Sequence, residues 1–170
     1  MEELSKALDI ATRISLQGKE REGVISKFKE QIKDWGIAMP DAELLVWDFG
    51  LKNFPAVGLI EIWIANEIQA GYCAKYLFLF DKQTCPMHYH RTKAETFFVV
   101  KGEMEIECEG NVQRMSPGAT FYVEPGKAHR FTGIGPTLLL EVSMACIVDD
   151  NFFENRAIPI GGNYSRDRCQ

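Results

Sequence analysis

Histidine is scarce in this chain, with only three in 170 residues, His88, His90 and His129. Any chemistry that needs imidazole must use these three. The five cysteines (Cys73, Cys85, Cys108, Cys146, Cys169) are scattered and odd in number, without C-x-x-C spacing. That excludes a zinc knuckle or dithiol redox pair and argues against a disulfide framework, leaving most of them as small apolar residues. No block of Lys or Arg stands out against a net charge of −5. The basic face that a phosphate backbone or an anionic membrane requires is therefore missing. No apolar run is long enough to span a bilayer, and the N-terminus is a charged amphipathic segment without a secretory-signal layout. These absences predict a cytoplasmic protein with no nucleic-acid and no membrane partner. There is also no internal repeat, low-complexity tract or interdomain linker. A hydrophobic fraction of 46% is ordinary for one globular domain with its own core.

Two kinds of periodicity are present. Leu4, Ala7, Leu8, Ala11 and Ile14 recur at helical spacing over residues 2–20, with Gly18 as the expected terminator. A second helix is predicted over residues 22–34, with Val24, Phe28, Ile32 and Trp35 as its apolar stripe and Gly36 and Pro40 closing it. From Glu43 the period shortens. Strands are predicted at 44–47, 59–65, 72–80, 95–100, 104–108, 111–114, 120–123, 129–132 and 138–144. Lys101-Gly102 and Glu109-Gly110-Asn111 read as tight hairpin turns, and Ser116-Pro117-Gly118 as a third reversal. Many short strands with Gly- and Pro-bearing turns indicate a mainly β fold, an antiparallel sandwich or barrel. The expected division is a helical extension over residues 1–42 and a β-barrel over 43–170. Its tail from Asn151 forms an irregular arm anchored by Phe152 and Phe153.

The chemistry concentrates in Cys85-Pro86-Met87-His88-Tyr89-His90-Arg91-Thr92-Lys93-Ala94-Glu95. His88 and His90 are two apart, so on an extended strand both imidazoles leave the same face. Glu95 follows after a polar bend, Arg91-Thr92-Lys93, and a Pro125-Gly126 turn delivers His129 onto a later strand. Three imidazoles and one carboxylate suit a borderline to hard divalent ion and leave coordination positions open for water or substrate. His88, His90, Glu95 and His129 are the predicted metal ligands.

His88-x-His90, Glu95 and Gly102, followed by Gly118, Pro125-Gly126 and His129, resemble the two sequence motifs of the cupins. The pattern departs from the family at Lys82, where Gly is frequent, at Glu124, where Pro is frequent, and at Gly133, where Asn is frequent. The runs Tyr72–Phe80 and Gln83–Pro86, with Lys75 thirteen residues before His88 and Glu141-Val142-Ser143 further on, resemble the D-lyxose ketol-isomerases over about residues 50–160. The resemblance implies a cupin antiparallel β-barrel or jelly roll (double-stranded β-helix) with two N-terminal α-helices. It also implies a homodimer acting on a small sugar. The implied reaction is D-lyxose to D-xylulose, and also D-mannose to D-fructose, with one divalent ion: Mn²⁺, or alternatively Co²⁺, Fe²⁺, Ni²⁺ or Zn²⁺.

Lys75 shares a strand face with Cys73, Leu77 and Leu79. If that face is the lumen, its ammonium sits in a mostly apolar cup, where it can stabilise an enediolate; otherwise it is a solvated edge residue. Glu141 interrupts Leu138-Leu139-Leu140-Glu141-Val142-Ser143-Met144, so its carboxylate is either desolvated and functional or turned outward. The predicted catalytic residues are Lys75, Glu95 and Glu141, with Glu141 or Glu95 carrying the proton. Cys85 is a candidate lining residue, Asp149 and Asp150 are candidates for the pocket mouth, and Phe97, Tyr122 and Phe131 for its walls. The alternative readings are a metal-dependent dioxygenase, since three His and one Glu also suit iron with O₂, and a non-catalytic sugar- or effector-binding protein. An isomerase of phosphorylated sugars would need a basic phosphate cradle that the sequence does not locate.

Overall fold

The computed structural model describes residues 13–162. Its elements are helix α1 (Gly18–Trp35) and strands β1 (Leu44–Trp47), β2 (Leu59–Glu67), β3 (Tyr72–Leu79), β4 (His88–Tyr89), β5 (Glu95–Cys108), β6 (Asn111–Met115), β7 (Thr120–Val123), β8 (His129–Met144) and β9 (Phe152–Phe153), with a 3₁₀ turn at Val148–Asp150. All nine strands belong to one curled antiparallel sheet. The order β1-β2-β3-β8-β4-β9 is completed by β5, which pairs with β6, β7 and β8.

Alternation sorts the side chains onto two faces. Leu59, Leu77, Phe97, Val99, Phe131 and Leu139 turn inward and form the core of the barrel. Ile60, Ile62, Phe78 and Leu138 turn outward, where Phe28 and Ile32 of α1 cover them. Phe28 meets Phe78 edge-on with centroids 5.1 Å apart. Helix α1 ends where Gly36 adopts φ 64°, its N–H reaching Lys33 O at 3.0 Å while that of Ile37 reaches Ile32 O. No helix among the described residues is long and apolar enough to cross a membrane.

Three boundaries differ from those read in the sequence. Most of the first expected helix lies outside the described residues. Where it enters them, Arg13 and Ile14 are helical, but Ser15 already bridges Trp47, and Leu16 N–H bonds Val46 O. Gly18 therefore opens α1 instead of ending the helix before it, because pairing with the β1 edge extends the chain first. Lys101-Gly102 is not a hairpin turn: the runs 95–100 and 104–108 form the single strand β5, with register shifts between Val99 and Glu103. Gly102 has φ 74°, and a Cβ there would lie 2.1 Å from Pro136 O. The bulge lets β5 stay paired with β8, which joins the expected strands 129–132 and 138–144.

Candidate metal centre and active site

His88 lies on β4, directly opposite His129 at the start of β8, while Glu95 opens β5. These elements, with His90 just past β4, bring one ligand atom from each of His88, His90, Glu95 and His129 within 4.8 Å of one another. All four are buried. Each imidazole is fixed through Nδ1 by a backbone carbonyl: His88 to Pro86 O at 2.8 Å, His90 to Asp150 O at 3.0 Å and His129 to Lys127 O at 3.0 Å. A carbonyl only accepts, so Nδ1 carries the proton in each ring, and in the neutral imidazole that leaves the Nε2 lone pair facing the centre.

Those lone pairs face a carboxylate. Glu95 Oε2 is 3.0 Å from His129 Nε2 and 3.3 Å from His90 Nε2. With both imidazoles in this tautomer no proton lies between them, and all three atoms are buried without a hydrogen-bond partner. Acceptors this close and this dry repel unless a cation sits among them. Burial, followed by the neighbouring His129 and His90, holds the His88 pKa well below its ordinary value, so it stays neutral and able to ligate. Burial would raise the Glu95 carboxyl, but the Lys93 ammonium outweighs it and holds the group well below the usual carboxylate range. The donor set fits a divalent ion with His₃Glu ligation.

Beside this centre runs a ladder of alternating charges. Lys93 Nζ is 2.6 Å from Glu95 Oε1 and 3.3 Å from Glu141 Oε1. Lys75 Nζ is 3.3 Å from Glu141 Oε2 and 3.4 Å from Glu61 Oε1. The far end is held by Trp63 Nε1–H, donating to Glu61 Oε2 at 3.0 Å, and Ser143 Oγ–H donates to Glu141 Oε1 at 2.9 Å. Register places Trp63, Lys75, Glu141 and Phe97 in one row across β2, β3, β8 and β5. Lys75 does face the lumen and Glu141 is buried. The surroundings of Lys75 are not the apolar cup expected, however, because two carboxylates and the face of Trp63, 5.3 Å away, receive it. Burial alone would lower its pKa, but Glu141 and then Glu61 reverse that and lift it well above the ordinary lysine value.

Two members of the ladder, Lys93 and Glu61, are not among the site residues expected from the sequence. Lys93 reads there only as part of a polar bend, and nothing local marks it as buried. Glu61 carried a usable signal. It interrupts the apolar run Leu59-Ile60-Glu61-Ile62-Trp63 just as Glu141 interrupts its own.

The cavity over the centre is walled by Phe49, Phe97, Phe131 and Phe153. Tyr122, expected as a wall residue, lies on the outer face and is exposed. Cys85 lines the cavity, and burial, with Glu61 nearby, pushes its thiol well above the ordinary value. A thiol so disfavoured as thiolate is no nucleophile. Of the two aspartates expected at the mouth, Asp149 is exposed, whereas Asp150 binds the 91–93 loop.

Two family models match the chain, the cupin domain over residues 77–143 and D-lyxose isomerase over residues 43–109. The D-lyxose ketol-isomerase of Cohnella laeviribosi is 32% identical over 71% of this chain and 81% of its own. The D-lyxose/D-mannose isomerase of Thermosediminibacter oceani is 30% identical over 62% and 74%. In fold, the L-ribose isomerase of Cellulomonas parahominis, solved with L-ribose, aligns over 86% of this chain and 96% of its own with a TM-score of 0.69 at 18% identity. With a relative this similar over most of its length and the same family's model matching the strands around His88, His90 and Glu95, the chain belongs to the D-lyxose isomerase family of the cupins, and is a sugar isomerase that interconverts an aldose and a ketose.

Proposed function

We propose that the protein isomerises D-lyxose to D-xylulose, and D-mannose to D-fructose, with one divalent ion, Mn²⁺ in the first instance, held by His88, His90, Glu95 and His129. The observation that carries this is the convergence of three imidazole Nε2 atoms and a carboxylate oxygen that has no hydrogen-bond partner. When bound there, the ion supplies Lewis-acid polarisation to the substrate carbonyl and adjacent hydroxyl.

The remaining work falls to the side chains. Isomerisation moves one proton between adjacent carbons and leaves an enediolate in between. Glu95 is turned toward the imidazoles and Lys93, whereas Glu141 lies one step along the ladder, on the cavity wall. Glu141 is therefore assigned the proton transfer, held in orientation by Lys75, Lys93 and Ser143. Lys75 and Lys93 present ammonium groups to the charge that develops on the enediolate oxygens. Three carboxylates, two ammonium groups and a divalent ion leave one net positive charge. That balances a single anionic oxygen and leaves little for a phosphate, so free aldoses are the substrates.

The assembly we propose is a homodimer. Tyr72, Phe98, Tyr122, Val142 and Met144 stand exposed on the outer sheet face beyond the reach of α1. They carry no charge, so the patch can meet its own copy across a two-fold axis without repulsion.

The test is an anaerobic incubation of Mn²⁺-loaded protein with free and phosphorylated aldoses. D-xylulose from D-lyxose and D-fructose from D-mannose are expected, abolished by chelation and by Glu141→Gln. Turnover only with O₂, no ketose from any free aldose, or an unaffected Glu141→Gln would overturn the reading.

A further inference from the structure

Asp150 makes an unusual set of contacts with the loop between His90 and Glu95. Its carboxylate accepts the amides of Arg91 (2.9 Å), Thr92 (3.1 Å) and Lys93 (3.0 Å) and the Thr92 hydroxyl (2.7 Å). Its own carbonyl accepts His90 Nδ1 at 3.0 Å. One residue of the 148–150 turn thus holds a metal ligand with its main chain and the backbone of Lys93 with its side chain. The same turn leads straight into β9, where Phe153 pairs opposite His88 and lines the cavity. Arg91 folds back over Phe152 with 4.4 Å to the ring centroid, closing the joint from outside.

Nothing local in residues 90–95 explains why Lys93 turns inward. In a polar bend a lysine gains by reaching water, and desolvating it costs free energy that must be met by fixed partners. With three successive amides tied to one carboxylate, the bend has a single shape, and in that shape Nζ falls between Glu95 and Glu141. We propose that Asp150 is a positioning residue that couples the C-terminal arm to the active site, setting the His90 ring and the Lys93 ammonium together. The inference rests on the metal-dependent reading above. The carboxylate is built to stay ionised: burial works against it, but the Thr92 hydroxyl and the three amides outweigh burial and keep its pKa below the ordinary value.

The test compares wild type with Asp150→Asn, which keeps the size and the carbonyl that holds His90 but sets an amide donor against donors. Mn²⁺ affinity is measured by chelator competition, alongside kcat, KM and the melting temperature of the metal-free protein. Asp150→Asn should bind Mn²⁺ about 10-fold more weakly, the low end of the range seen when partners behind metal ligands are removed, because the carbonyl that holds His90 stays while the turn that carries it is loosened. At saturating Mn²⁺ its kcat should remain lowered with little change in KM, because the displaced Lys93 acts on charge that appears only in the transition state. Thr92→Val, which removes one of the four donors, should show a smaller loss in the same direction and serves if Asp150→Asn does not fold. A lower melting temperature with unchanged Mn²⁺ affinity and kcat would make Asp150 a brace for the arm alone and overturn the proposal. A wild type that binds no Mn²⁺ would overturn the metal reading first, and this one with it.

Discussion

Replacing Lys75 by methionine tests stability and catalysis in one variant. The side chain length is kept, so packing against Trp63 survives, but Glu61 and Glu141 both lose the ammonium between them. Removing one partner of a buried ion pair costs about 3–5 kcal/mol, because the other charge stays behind without compensation. Here Glu141 keeps Lys93 and Ser143, and Glu61 keeps Trp63. The low end, about 3 kcal/mol, is therefore expected. At about 2–4 °C per kcal/mol for a domain of this size, the melting temperature should fall by about 6–12 °C. Adding Glu61→Gln removes the stranded charge and should recover roughly half of that loss. Activity should not follow: kcat and kcat/KM should drop together by about 10²–10³ in both variants, as when an oxyanion donor is deleted.

The pH dependence has a definite sign. The folded pKa of Lys75 is raised above 10.5, so its stabilisation is whole below pH 10.5 and is lost as pH rises through the raised value. The gap in melting temperature between wild type and Lys75→Met should thus be flat from about pH 6 to about pH 10 and narrow only above that. Calorimetry on the metal-free proteins and coupled ketose assays on the loaded ones give both readings. A Lys75→Met enzyme that melts with wild type and turns over at near-normal kcat would refute the ladder as an energetic unit and Lys75 as a participant.

Two further outcomes bear on the centre and the assembly. His88→Ala and His129→Ala should each lose stoichiometric metal by elemental analysis, because no other histidine can replace either; retention in both would remove the site. Light scattering at micromolar concentration should give twice the chain mass, and Val142→Lys, placing like charges across the two-fold axis, should give the monomer. A monomeric wild type would reject the outer sheet face as an interface.

Alternation along a strand is a local property, so several assignments were legible without the fold. His88 and His90 had to share a face, and Cys73, Lys75, Leu77 and Leu79 had to share another. Glu141 stood out because a carboxylate in an apolar strand needs a partner. With His129 as the last remaining imidazole, these constraints narrowed the candidate metal ligands to four residues before any pairing was known. The strand ends at Lys101-Gly102 were misread for the same local reason. A glycine with positive φ looks alike in a hairpin and in a bulge, and only the approach of Pro136 O selects the bulge.

Partners far apart in the chain were decided by tertiary structure alone. Lys93 meets Glu141 from 48 residues away, and His90 meets the Asp150 carbonyl from 60. Whether a lysine in a polar bend points to water or to the lumen depends on which carboxylates the closing barrel sets opposite it, and that depends on the register of β3, β5 and β8. The sequence by itself determined which side chains each strand turns to one face. Burial and register then decided which charges meet there, because a desolvated ammonium is stable only where fixed carboxylates replace its water.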